Sequence, residues 1–194
     1  MKLVIMEESV LFPVERLSMG IQEDDMRSGG GHSKGASFER QVCRDLSLWL
    51  TEGKHDDCFW RSAMSGGRAT VRFKKGRTSR SQAGDISPIS GVGEKLTDLF
   101  LLECKSYNDL QMIGLYLGLK TGINKHWQET VEDAARHKKW PLLIAKQSRT
   151  PAFILMNRAG LNFCNLRASY LAHFLDLGVY VLWYTEFLKA AKRP

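Results

Sequence analysis

The stretch LTDLFLLECKSY, residues 96–107, restricts the fold of this chain more than any other part of it. Leu99 to Leu102 form an unbroken apolar run that reads as a strand passing through an interior. That run ends at once in Glu103 and Lys105, on either side of Cys104. Side chains on a strand alternate between faces, so Glu103 and Lys105 share one face while Phe100, Leu102 and Cys104 share the other. Charge on one face at the end of a central strand stands at the rim of a sheet. Ligand and catalytic groups of α/β folds commonly lie there.

The neighbouring segments fix the class. Phe38, Val42, Leu46, Trp49 and Leu50 recur at helical spacing from about Ser33, and TEG closes that helix. DCFWRSAM reads as a strand, and GDISPIS as a short strand entering a glycine turn, GVGEK, before the strand that holds Glu103. DLQMIGLYLGLKTG resists assignment. HWQETVEDAARHKKW reads as a helix with Trp127, Val131, Ala134 and Ala135 on one face, stopped by Pro141. PLLIAKQ and PAFILMN read as two strands around the turn SRTP. LRASYLAHFLDLG reads as a helix, VYVLWY as a strand and TEFLKAAK as a closing helix. Interleaved helices and strands predict an α/β fold with a mixed central sheet covered by helices. Residues 1–32 read as a separate arm ending in the linker RSGGGHSKG, ahead of one domain over 33–194.

Composition narrows the partners. No apolar run approaches the roughly 18 residues of a membrane span, and the N-terminus is too soon acidic for a signal peptide. A cytoplasmic protein with no membrane partner is expected. Cys43, Cys58, Cys104 and Cys164 are scattered, which predicts reduced, buried thiols rather than a zinc site. The net charge is +7, and Arg61, Arg68, Arg72, Lys74, Lys75, Arg77 and Arg80 fall in a stretch without a single acid. That stretch is also rich in Gly, Ser and Thr. A loop of one sign repels itself unless a polyanion neutralises it, so DNA phosphates are its expected partner.

Upstream of Glu103, the nearest carboxylate on a strand is Asp85. A hairpin would let the two converge, and they would then repel unless a cation lay between them. Magnesium suits such a site, because it takes hard oxygen ligands and needs only one or two protein carboxylates. Lys105 beside it could hold a water or a phosphate oxygen, and Glu39 on the first helix supplies a third carboxylate. Together these are the means to hydrolyse a phosphodiester. Asp98, a rival to Asp85, lies too far from Glu103 along an extended strand to share a metal. The five histidines form no obvious constellation, and the five tryptophans fall mostly at apolar positions.

The series KGASFERQV, FWRSAMSGG, AGDI and FLLECKSY resembles the PD-(D/E)xK nuclease superfamily, and within it the archaeal-type and phage Holliday junction resolvases. The resemblance covers roughly residues 33–157 and rests on the order and spacing of short motifs. It implies a restriction-endonuclease-like αβββαβ core and a Mg²⁺-dependent endonuclease, with Mn²⁺ able to substitute. It also implies a homodimer acting on branched DNA. Carried over position by position, Glu39, Asp85, Glu103 and Lys105 form the metal and catalytic set. The Cys104 carbonyl faces the metal, Ser65 lies near the scissile phosphate, and Gln128 supports the site. Glycine rather than proline precedes Asp85, the basic segment is long, and residues 158–194 form an extension without a counterpart. A restriction- or repair-type nuclease of the same fold, or an inactive nucleic-acid-binding module, remains open at this point.

Overall fold

The computed structural model describes residues 3–4, 31–62, 83–120, 122–167 and 170–194. Helix α1 (Gly31–Leu50) starts inside the expected linker and turns Phe38, Val42, Leu46 and Trp49 inward. Its buried Ser47 donates its hydroxyl to the Cys43 carbonyl and accepts the Cys58 N–H, which ties the helix to the chain leaving it. Two short strands follow, β2 (Phe59–Arg61) and β3 (Ile86–Pro88), paired antiparallel with Arg61 opposite Ile86.

Between β3 and the long strand the expected glycine turn is instead a helix, α2 (Gly91–Leu99). Ser90 caps its first turn by accepting the Gly93 N–H, and Leu96 and Thr97 bury its inner face. Gly93 is required by packing rather than by a turn: a Cβ there would lie 2.7 Å from the Cys58 carbonyl oxygen. Asp98 is therefore an exposed helical residue, and the extended spacing assumed for it does not apply.

Strand β4 (Phe100–Tyr107) and strand β5 (Trp140–Gln147) run parallel, with Glu103 opposite Leu143 and Lys105 opposite Ala145. The segment between them holds α3 (Ile113–Leu117), in the region that resisted assignment, and α4 (Gly122–His137). On α4, Ile123, Asn124, Trp127, Thr130 and Ala134 are buried, whereas Ala135 is exposed, contrary to the expected face. The helix ends at His137, before Pro141, and Lys138 follows with φ 56°. Strands β6 (Phe153–Met156), β7 (Ala172–Phe174) and β8 (Val179–Trp183) complete the sheet.

Strand order is β1-β7-β8-β6-β5-β4, where β1 is Leu3–Val4 on the far edge. Among the described strands of this sheet only β4 and β5 pair in parallel; every other strand pair is antiparallel. Helix α5 (Arg158–Phe163) follows β6, and α6 (Tyr184–Ala190) follows β8. The described residues of LRASYLAHFLDLG thus form no α-helix. They give β7 and a 3-10 turn, Leu175–Leu177, because pairing with β8 and the ring stack of His173 on Tyr180 outweigh their helical spacing. The β6–β8–β7 pairing places this part of residues 158–194 in the same sheet as the earlier strands.

Alternation along the strands divides the core in two. Phe100, Leu102, Cys104, Leu142, Ile144 and Ile154 face α1, α5 and α6. Leu143, Ala145, Phe153, Leu155 and Val181 face α3 and α4. All four cysteines are free and buried. Trp49 and Trp127 are core residues as expected, but Trp60 and Trp183 are exposed.

Candidate active site

Asp85 and Glu103 do meet, though not through a hairpin. Gly84 forms a parallel bridge with Leu102, and the Asp85 N–H donates to the Leu102 carbonyl at 2.8 Å. The geometry demands glycine at 84: its φ is +93°, and a Cβ would lie 2.5 Å from the Leu102 oxygen. That close approach brings the Asp85 carboxylate against β4, where its Oδ2 accepts the Cys104 N–H at 2.9 Å. A residue's N–H and C=O leave an extended strand on the same side, so the Cys104 carbonyl points toward this edge too.

Lys105 joins the two acids. Its Nζ lies 3.1 Å from Glu103 Oε2 and 3.6 Å from Asp85 Oδ2. Both acids are nearly buried, while the amine is about a quarter exposed. Burial and the adjacent Asp85 carboxylate push the Glu103 carboxyl up to about 8, against the opposing pull of Lys105. The two carboxyls are thus forced together in a site that resists carrying both charges. Burial alone would lower Lys105, but Glu103 and Asp85 outweigh it and hold the ammonium above its ordinary value.

Glu39 lies on α1, which packs against β2 and β4. Its Oε2 accepts from Arg61 Nε at 2.7 Å, so Arg61, expected on DNA, is engaged with this carboxylate. The charge of Glu39 still reaches β4. Burial first, then Asp85, Glu103, Cys43 and Glu39, push the Cys104 thiol well up, so it is no nucleophile. Among the described residues no group of three or more His, Cys, Asp and Glu side chains is placed to hold a metal. The structure thus assembles Asp85, Glu103 and Lys105 and leaves Glu39 paired with Arg61. Gln128 is half-buried on α4. Ser65, Arg68, Arg72, Lys74, Lys75, Arg77 and Arg80 lie outside the described residues, as does residues 5–30 of the expected arm.

One neighbour escaped the sequence reading. His126 on α4 stacks on Tyr107 at the end of β4, with ring centroids 5.3 Å apart and planes within 9°. Burial lowers its pKa, against its hydrogen bond to the Glu129 carboxylate, and the Lys105 charge lowers it further. Tyr107 was foreseeable as a third member of the Glu103 and Lys105 face. His126 was not, because its place depends on how α4 crosses β4.

A parallel β4–α–β5 unit with a carboxylate-carboxylate-lysine cluster at its outer edge defines a PD-(D/E)xK-type nuclease core. The model of one family, described as "Phage putative PDDEXK endonuclease", matches residues 30–174. The chain belongs to that family, which makes it a nuclease of the PD-(D/E)xK superfamily. No curated protein and no solved structure matches it. Among the described residues, no helix is long and apolar enough to cross a membrane.

Proposed function

We propose that this chain is a divalent-metal-dependent DNA endonuclease that cuts branched DNA, with Mg²⁺ as its ion and Mn²⁺ able to substitute. The observation that carries the metal is the Asp85–Glu103 pair. Two buried carboxyls lie on either side of one ammonium, and their crowding raises Glu103, so a divalent cation held there would let both carry charge. Asp85, Glu103 and the Cys104 carbonyl offer the hard oxygens for it, with water completing the shell. When bound, such an ion activates water and neutralises charge on the phosphate. Lys105 keeps its ammonium beside both acids and can hold the attacking water or a phosphate oxygen. Glu39, oriented by Arg61, assists from α1.

Branched DNA as the substrate, and a homodimer to cut two strands about a two-fold axis, rest on the order of motifs from KGASFERQV to FLLECKSY. The basic segment from Arg68 to Arg80 supplies the phosphate contacts. The test is cleavage of a labelled four-way junction beside matched duplex and flap DNA, in Mg²⁺, Mn²⁺ or EDTA, by wild type and Lys105→Ala. Paired nicks in the junction alone, absent in EDTA and reduced about 10²- to 10⁴-fold in the variant, are expected. Equal cutting of all three substrates would remove the branch specificity, and binding with no product in either metal would remove the nuclease reading.

A further inference from the structure

Glu103, Lys105 and Tyr107 occupy successive positions on one face of β4, so the Tyr107 Cα lies about 6.6–6.8 Å along the strand from the Lys105 Cα. This spacing matches one extended nucleotide. The ring is backed on one side by the His126 imidazole, stacked at 5.3 Å, and α4 carries that imidazole half-buried. Yet Tyr107 keeps 47% of its surface exposed. That open surface lies on the same strand face as Glu103 and Lys105. A fixed aromatic ring with one side backed and the rest open is the form that stacks a nucleobase.

We propose that Tyr107, backed by His126, is a stacking platform for an unstacked base next to the cleaved phosphate. Bases within a continuous duplex are stacked on their own neighbours and have no face to offer. A base at a branch point or a frayed end does. The platform would therefore select substrates that present an unstacked nucleotide one position from Lys105. This rests on the endonuclease reading for the location of the cut, but not for the stacking itself.

The experiment uses the full chain in EDTA with a four-way junction that carries 2-aminopurine at the branch, beside a matched duplex. Wild type and Tyr107→Phe should quench the probe. Tyr107→Ala should leave it bright and weaken junction binding about 5- to 150-fold, the range for loss of one base–aromatic stack. Duplex affinity should not change. Tyr107→Leu keeps apolar cover over His126 without a π-face, so it should behave like Tyr107→Ala even if the alanine variant folds poorly. Unchanged quenching and affinity in the leucine variant would overturn the platform. Loss of quenching in it, with no metal-dependent cleavage by wild type, would keep the platform and remove the nuclease reading. Cleavage by wild type with quenching intact in every variant would do the reverse.

Discussion

Replacing Glu103 with glutamine should stabilise the metal-free protein at alkaline pH, although it removes a residue of the site. In the fold the Glu103 carboxyl is pushed up from 4.5 to about 8, first by burial and then by Asp85. The folded state holds a proton that the unfolded chain releases near its ordinary pKa. The stability this proton gives is thus complete below about 4.5 and lost as pH rises through about 8. Each tenfold change in proton affinity is about 1.4 kcal/mol, so the charged carboxylate costs the fold on the order of 4–5 kcal/mol at pH 9. That cost already includes the help of Lys105. Glutamine has the same shape, stays neutral, and can donate to Asp85 while accepting from Lys105. If local relaxation removes half of the cost, the variant should still melt about 4–10 °C above wild type at pH 9. At pH 5 the two should melt together. Thermal melts followed by circular dichroism in EDTA, from pH 5 to 9, check this. A difference that does not grow with pH, or a variant that is less stable at pH 9, would refute the account of Glu103.

Two further substitutions test how the site is held. Gly84→Ala places a Cβ against the Leu102 carbonyl at a φ of +93°, and strained backbone alone costs about 1–3 kcal/mol. Urea unfolding should show at least that loss, and metal-dependent cleavage should fall with it because Asp85 is displaced. Ser47→Ala leaves the buried Cys58 N–H without its hydroxyl acceptor, for about 1–3 kcal/mol. Its urea midpoint should drop with an unchanged slope.

What the sequence made legible follows from how local each signal is. The alternation from Phe100 to Lys105 is a property of one strand, and β4 has the two faces it predicts. Asp85 and Glu103 were readable as partners by their chemistry, but the way they meet was not. A glycine-rich segment, GVGEK, folds as a helix because Ser90 caps it and Gly93 lets it lie against Cys58, and both facts are tertiary. The same holds for LRASYLAHFLDLG, whose apolar spacing fits either period until β8 lies beside it. His126 lay furthest out of reach, since only the crossing of α4 over β4 makes it a neighbour of Tyr107.

The bond from the Cys104 N–H to Asp85 has a consequence beyond catalysis. Among the described residues strand β4 is the last strand of the six-stranded sheet, and its outer side is where a foreign strand could add. Asp85 Oδ2 stands where the carbonyl of that seventh strand would be, and Gly84 covers the position beside it. The same carboxylate therefore guards the protein against edge-to-edge association. Asp85→Ala should raise light scattering in concentrated solution, Asp85→Asn, which keeps an acceptor, should not, and equal scattering from the two would deny the guard. A site that seals its own sheet cannot lose the acceptor oxygen of Asp85 without also losing its stopper.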